Sequence, residues 1–571
     1  MRTLKKYQFE KPTIEGWDVE TQDGEVFLIA NSHNYKWRPS KNELLDFLFS
    51  EGTDVNFFYN LKFDFSAIGR HIIVGRERND ILPELKARII TYKEYQIRFI
   101  PYKGFVIRKN RKSKRYFDVG SFLNEGGLEK TASKLLGIHK NEDVDRTLFY
   151  DNAYVETNKD KIIKYCVQDA FITKQLGEYL LQVIHDFLGV YPLNYYSKAS
   201  ISKAWLEMKH PSLAYSFKQL SRIQRDFIRK SYYGGLFTLR KVGKFDRATQ
   251  IDINSAYPYA MSLLPKWDTL KWTSFLPPEK LNPRKAALGF YLIKIKYDSW
   301  IQYRISKTML IYPISQKPLR KFVALPELLY FLDSGKDFEI VTGIEAYTDS
   351  DEKEFSEFPE LYEKRKELKK VGSGLQLLFK IILNATYGCL AQVKGGFTKW
   401  TNFAYASTIT SFTRTQILKM KDKLGENRVI SVDTDSLTVE GDVEIESSDK
   451  MGSFSIKFRN RPVERYLQGL GVDDGELKKR GFPTLQLETL ITANGEEIVI
   501  PRQAPLTLST AVIQDRLTDA AKWVNQDKRI NLKSILSRYW IDERYLKFET
   551  LREKHFDLIP QLVMEDEKYV F

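Results

Sequence analysis

The chain has 571 residues, 43% of them hydrophobic and 29% charged, with 89 Lys and Arg against 74 Asp and Glu for a formal net charge of +15. This is ordinary globular composition, which excludes a wholly disordered chain, and the length allows about four domains at ~150 residues each. Only two cysteines occur, Cys166 and Cys389, which excludes a disulfide-stapled scaffold, and no apolar run approaches the ~20 residues of a membrane helix.

The N-terminus has no apolar core of the kind a signal peptide needs, so a soluble, intracellular, multidomain protein is expected. Short β-rich runs come first, at 16–20, 25–30 and 55–59. The segment 108–115, basic at six of its eight positions, separates runs at 104–107 and 116–119 and reads as a hairpin tip. Helical patterns follow at 128–136 and 159–184, and this order suits an α/β nuclease-type domain. Residues 190–250 read as helical and then extended. Residues 262–350 hold Pro-rich connections and a strand at 289–296. Two helices are expected in 355–395 and another at 403–423. A hairpin-like stretch follows, with strands at 429–431 and 437–440 around an acidic turn. The remainder mixes strands and helices and ends in a strand-like Glu-Lys-Tyr-Val-Phe.

The positive surplus favours a polyanionic partner. Nucleic acid fits, as does an anionic membrane surface, and a lysine-rich solvated surface is the plain alternative. Aromatic residues make up 13%, and rings beside basic residues are what single-strand binding uses, although most must be core. For 108–115 a phosphate-backbone contact is favoured over a solvated hairpin or a docking surface.

Two sets of carboxylates sit on apolar elements, where they are costly unless they meet cations. In Val432-Asp433-Thr434-Asp435-Ser436 a tight turn fans two Asp around one site, and such a turn can hold a hard cation. Asp252 lies in Ile251-Asp252-Ile253-Asn254-Ser255-Ala256-Tyr257-Pro258, where a strand runs into a turn. Lys380, Asn384 and Tyr387 are spaced to share one helix face, which suits a nucleoside triphosphate beside metal-binding Asp. A lone Asp-Thr-Asp is usually a structural turn and a lone Lys-x-x-x-Asn face a solvated one. The three together, in this order, are far more specific.

This combination resembles the polymerase motifs of family B DNA polymerases. They stand here as DINSAYP, KIILNATYG and SVDTDS, the last with Ser431 where Tyr is usual. The first acidic set supports the resemblance. Asp18 and Glu20 lie two apart, Asp64 follows in Asn60-Leu61-Lys62-Phe63-Asp64, and Tyr165 and Asp169 lie one helical turn apart. Four carboxylates on three elements make a two-metal nuclease site chemically sensible. In this order they resemble the exonuclease motifs of proofreading polymerases. The resemblance implies Asp18, Glu20, Asp64 and Asp169 as metal ligands, Tyr165 as orienter of the attacking water and Asn60 as a contact to the single-stranded primer end.

The early first motif, the Asn-Leu-Lys-Phe-Asp wording and Tyr232-Tyr233-Gly234-Gly235 between the two halves look like the protein-primed branch, which replicates small linear viral and plasmid genomes. The short N-terminal stretch leaves no room for the domain that precedes the motif in larger relatives. That branch uses a Lys after the second exonuclease region, and Lys140 sits where it is expected. Between Asp252 and Lys380, 128 positions leave room for the branch's first insertion, tied to contact with the priming protein. Only 49 positions separate Asn384 from Asp433, too short for a developed second insertion, so strong strand displacement is not expected. The branch's Lys-x-Tyr motif is not clear. Lys478-Lys479-Arg480-Gly481 resembles the primer-terminus element of other family B enzymes, a basic surface turn being the alternative.

The resemblance implies an α/β and α+β multidomain chain. Its parts are an RNase H-like 3′→5′ exonuclease domain (1–190) and a right hand of palm (191–261 and 403–480), fingers (351–402) and thumb (481–571). Residues 262–350 hold palm together with the branch-specific insertion. It implies two Mg2+ per active site, with Mn2+ able to substitute, held by Asp252, Asp435 and the Ile253 carbonyl with Asp433 adjacent. Lys380 would contact the phosphates, Asn384 and Tyr387 would line the nascent base pair, and Tyr257 would stack under the sugar and exclude a 2′-hydroxyl. Tyr232, Gly234, Gly235, Lys478, Lys479 and Arg480 are implied DNA contacts. Implied partners are primer-template DNA, deoxynucleoside triphosphates and a terminal priming protein, with a monomer in the host cytoplasm and no membrane. Competing readings are a primer-independent or conventionally primed polymerase, a nuclease with a structural polymerase half and a silent DNA-binding relative. Cys166 and Cys389 read as buried thiols.

Overall fold

The β-rich runs of the first residues pair into one eight-stranded sheet. The computed structural model describes residues 7–101, 103–123, 126–140, 144–241, 243–304, 310–312, 315, 317–372, 375–393, 396–467, 470–473, 476–479, 497–500, 503–514, 516, 519–525 and 528–531. Contacts divide the chain into two units: 1–208 with 365–382 and 503–526, and 209–364 with 383–502 and 527–571.

The first unit's strands are β1 (Ile14–Gln22), β2 (Glu25–Asn31), β3 (Tyr35–Trp37), β4 (Val55–Phe58), β5 (Ile89–Tyr92), β6 (Tyr95–Ile100), β7 (Gly104–Lys109) and β8 (Lys112–Asp118). Their order is β3-β2-β1-β4-β8-β7-β6-β5, with β4 parallel to both neighbours. Alternation along β1 explains its burial on both sides. Trp17 and Val19 enter the apolar core with Phe58 and Tyr116, and helices α1 (Lys41–Glu51) and α2 (Leu61–Ile73) complete it. Ser40 and Glu43 start α1 with a reciprocal capping box. Asp18 and Glu20 lie on the opposite face, the side of Cys166 in the long helix α3 (Lys159–Leu188).

A close approach holds α3 on the sheet. A Cβ on Gly16 would overlap the Ala170 carbonyl oxygen and the Lys174 amide nitrogen, so only glycine lets strand and helix meet here. The same core takes in Leu506, Leu508, Ala511 and Val512, so 503–526, inside the segment expected to be thumb, folds with the N-terminal residues. Buried Arg70 secures it, donating to the carbonyls of Asp23 and Ala520 and pairing with Glu25 at 3.1 Å.

The second unit is built on β9 (Leu236–Leu239), β10 (Gly243–Ile253), β15 (Val429–Thr434), β16 (Ser436–Glu440), β17 (Phe454–Leu467), β18 (Leu470–Asp473) and β19 (Glu476–Lys479), in the order β9-β15-β16-β10-β17-β18-β19. Between β10 and β15, residues 271–347, within the segment expected to hold the insertion, include a smaller sheet of β11 (Lys271–Trp272), β12 (Leu288–Ile295), β13 (Leu319–Ala324) and β14 (Phe338–Tyr347), with helix α4 (Leu325–Asp333) after β13. The two sheets share an apolar core, in which Ile251, Ile253 and Val432 meet Tyr291, Val323 and Leu328. Helices α5 (Leu375–Leu390) and α6 (Phe403–Leu424) match the helical expectations. Between them the described residues form a short connection with one bridge, Val393 to Phe397. No helix among the described residues is long and apolar enough to cross a membrane. The strand-like C-terminus lies outside the described residues.

Replacing Gly16 by Ala forces backbone apart and should cost about 1–3 kcal/mol, as overpacking does. Differential scanning calorimetry should show a lowered midpoint, and an unchanged midpoint would contradict this contact.

Candidate active sites

In the first unit β1 carries Asp18 and Glu20, the first turn of α2 carries Asp64, and α3 carries Tyr165, Cys166 and Asp169. Among the described residues, Asp18, Glu20 and Cys166 form the one group of three metal-ligating side chains whose donor atoms all lie within 4.8 Å. Asp64 and Asp169 are outside that spacing but share the field. Burial first, then the Asp169 charge, pushes Asp18 up to about 7. Burial, followed by Asp18 and Asp169, raises Glu20 well above the carboxylate range. Burial and then Asp18 do the same to Asp64. Burial and the neighbouring carboxylates also raise Cys166, so its thiol stays protonated and hydrogen-bonds Asp18. Both cysteines are free and buried, as expected.

Lys140 reaches this cluster. Its ammonium donates to Asp169 Oδ2 and, at 2.9 Å, to the Tyr165 hydroxyl, and it lies 4.8 Å from the centre of the Tyr165 ring. Its own amide donates to Glu129. The other Asp169 oxygen, Oδ1, is buried with no hydrogen-bond partner among the described residues. A buried carboxylate oxygen without a donor calls for a cation. The hard oxygen donors around it suit a divalent ion, so the residues fit the metal that the motifs imply. Asn60 is exposed, takes a left-handed conformation (φ 65°) before α2, and donates its amide to Asp118 Oδ1 at 3.0 Å.

In the second unit, antiparallel pairing sets the acidic residues. Asp252 on β10 and Asp433 on β15 both stand opposite Ser436 on β16. The turn between β15 and β16 is closed by the Asp435 amide donating to the Asp433 carbonyl at 2.8 Å, with Thr434 left-handed (φ 65°). The Ile253 amide donates to the Asp435 carbonyl at 2.9 Å, joining the two acidic segments. Lys457 Nζ stands 3.5 Å from Asp252. The three carboxylates are not gathered as closely as the Asp18 group. Tyr232 and Tyr387 share a hydroxyl–hydroxyl hydrogen bond of 2.7 Å, and the Tyr257 and Tyr387 rings lie 4.5 Å apart. Gly235 must be glycine, because a Cβ would meet Thr434 Cγ2 at 2.8 Å, and Gly234 is left-handed (φ 77°). On α5, Lys380 and Asn384 are exposed and Tyr387 half-buried along one face.

The basic hairpin 108–115 turns at Asn110 and Arg111, both left-handed. Lys109 serves the fold, meeting Glu94, Asp46 and the Tyr95 hydroxyl, and Arg115 donates to the Leu193 carbonyl. Arg108, Arg111 and Lys112 are exposed. Lys478 and Lys479 lie on β19, and Arg480 lies outside the described residues.

A sequence model of the family described as DNA polymerase type B, organellar and viral, matches residues 128–460, more than half of the chain. The chain belongs to this family. A DNA polymerase of Acidianus bottle-shaped virus (isolate Italy/Pozzuoli) is 25% identical over 462 residues, 72% of this chain and 67% of the relative. Phi29 DNA polymerase in an orthorhombic crystal form has a TM-score of 0.63 at 15% identity, covering 91% of this chain and 100% of that one. Phi29 DNA polymerase with primer-template DNA and incoming nucleotides gives the same TM-score, identity and coverage. These likenesses bear out the expected fold class, an RNase H-like domain with a right-hand polymerase. Family B polymerases use divalent metal ions.

Sequence reasoning missed three charged residues of this polymerase. Asp118 accepts the Asn60 amide at the start of α2, and burial pushes it up to about 6 despite that bond. Arg146 lies close enough to Asp18 and Glu20 to lower both. Lys457 faces Asp252 across a strand pair. None belongs to a motif, and no periodicity marks them. The raised carboxylates bind protons more tightly folded than unfolded, so metal-free stability is fullest below the ordinary carboxylate range and falls as pH rises through about 7. A divalent cation replaces those protons. Added Mg2+ should therefore raise the thermal midpoint more at pH 8 than at pH 5 in a thermal-shift titration, and equal gains would contradict a carboxylate-held ion.

Proposed function

We propose that the chain copies DNA from deoxynucleoside triphosphates at Asp252, Asp433 and Asp435, and proofreads in the 3′→5′ direction at Asp18, Glu20, Asp64 and Asp169. The observation that carries the synthetic site is the register that sets Asp252 and Asp433 against the same Ser436. The unpartnered Asp169 Oδ1 carries the degradative one.

Asp252, Asp435 and the Ile253 carbonyl would hold two Mg2+, with Asp433 beside them, and Mn2+ could substitute. Bound there, the ions would lower the pKa of the attacking 3′-hydroxyl and stabilise charge on the transferred phosphate and the leaving pyrophosphate. Lys380 neutralises the triphosphate, Asn384 and Tyr387 line the nascent base pair, and Tyr257 packs under the sugar, where a 2′-hydroxyl would clash. In the exonuclease site Tyr165 orients the attacking water, Lys140 keeps Tyr165 and Asp169 in place through the bonds described, and Asn60 receives the frayed primer end. Tyr232, Gly234, Gly235, Lys478, Lys479 and Arg480 attend the primer-template. In this reading the exonuclease part is centred on 1–190 and the palm on 191–261 and 403–480, while 503–526 belongs with the first unit and not with a separate thumb.

Initiation is protein-primed in this reading. The hydroxyl of a Ser, Thr or Tyr on a terminal protein takes the place of the 3′-hydroxyl, and the insertion of β11 to β14 and α4 supports such a contact. The short connection between α5 and α6 supports limited strand displacement. The enzyme would act as a monomer in the host cytoplasm on a small linear genome.

An end-labelled primer on a longer template tests both sites. Asp435→Ala should abolish extension and leave shortening intact, while Asp18→Ala with Glu20→Ala should do the reverse. If a folded variant of either kind lost both activities, the two-site assignment would be wrong.

A further inference from the structure

Residues 232–235 connect helix Arg222–Lys230 to β9 and lie outside the strands of the sheet. Side chains from the insertion donate to two of their carbonyl oxygens. Arg304 donates to the Tyr232 carbonyl, and Gln302 Nε2 donates to the Gly235 carbonyl at 3.0 Å. Between them, Arg414 on α6 donates to the Gly234 carbonyl at 2.6 Å. The Tyr233 ring is surrounded by cations, with Lys321 Nζ at 3.8 Å from its centre, Arg304 at 5.1 Å and Arg414 at 5.7 Å.

One anion balances this group. Glu327 accepts from Arg414 at 2.9 Å and pairs with Lys321 at 3.4 Å, and the side chains of Lys321, Glu327 and Arg414 are 0%, 4% and 2% exposed. Lys321 also donates to the Gln302 carbonyl at 2.9 Å. Burial works to raise the Glu327 carboxyl, but Lys321 and Arg414 outweigh it and hold the group ionised. Buried charges of this kind seldom add stability over apolar packing, and here each is tied to named partners that join the segment to α4 and α6.

The gripped segment touches the polymerase residues on both sides. Gly235 lies against Thr434 between Asp433 and Asp435, and Tyr232 bonds Tyr387, which packs on Tyr257. We propose that Glu327 and Lys321, with Arg304 and Gln302, are positioning residues for the polymerase site. The insertion thus sets the height of the 232–235 segment under the nucleotide-binding tyrosines and the aspartate turn. This rests on the reading of Asp252, Asp433 and Asp435 as the synthetic site. None of these four residues needs to touch DNA or nucleotide.

The test uses the full chain carrying Glu327→Gln, Lys321→Met, Arg304→Ala or the charge-keeping Glu327→Asp. Single-nucleotide incorporation on a defined primer-template is measured below each variant's thermal midpoint, beside shortening of a single-stranded oligonucleotide. Displaced tyrosines would bind the incoming nucleotide less well, so Glu327→Gln and Lys321→Met should lower kcat/KM for the correct nucleotide by roughly tenfold or more, chiefly through KM. Shortening should stay within about twofold of the parent, since the other unit carries it, and Glu327→Asp should recover part of the loss. Arg304 is only half-buried, so Arg304→Ala keeps the test open should Glu327→Gln not fold. Incorporation at the parent's KM, or a parallel fall in incorporation and shortening that follows the thermal midpoint, would overturn the proposal. An Asp435→Ala control that still extends would instead overturn the underlying reading, and the positioning role with it.

Discussion

Carboxylates packed together out of water repel one another, and each also loses its hydration. The first unit nonetheless buries Glu20, Asp64 and Asp169 around half-buried Asp18. Its architecture answers that strain. Lys140 and Arg146 bring positive charge from the segment upstream of α3, and Gly16 lets α3 close on β1 so that Asp169 and Cys166 face the acidic strand. What remains uncompensated is an oxygen of Asp169, and a divalent ion is the charge that would complete the set. The sheet, the helix and the glycine contact are means of holding negative groups where they would not gather unaided.

The second unit meets a milder version of the constraint by geometry. Asp252 and Asp433 approach because β16 pairs with both of their strands, and the left-handed Thr434 turns Asp435 back toward Ile253. Here the carboxylates stay partly solvated, so the segment beneath them must be fixed by other means. The buried charges around Tyr233 supply that fixity.

Much of this could be read from residues that are near neighbours. Period-two alternation at Trp17, Asp18, Val19 and Glu20 separated a core face from an acidic face, and the spacing of Lys380, Asn384 and Tyr387 gave one side of a helix. Both hairpins were visible from their turn residues. Pairings between distant segments were not. Nothing near Glu327 announces Arg414, and Arg70 gives no hint of Ala520. Asp118 reads as the end of a strand, although its carboxylate caps the next helix over. These contacts depend on where whole elements come to rest, which local patterns do not encode.

The return of 503–526 to the first unit has a bearing on how the protein is made. Leu508 and Val512 fill the same core as Leu44 and Ile72, so a nascent N-terminal half leaves the ribosome with part of that core still open to water. Contacts of such long sequence separation form late, and the exposed apolar surface invites association in the interval. The first unit therefore completes its core only once 503–526 has been synthesised. A chain cut short after the first two hundred residues would emerge as a sticky fragment rather than a free-standing fold, which ties the first unit to the completed chain.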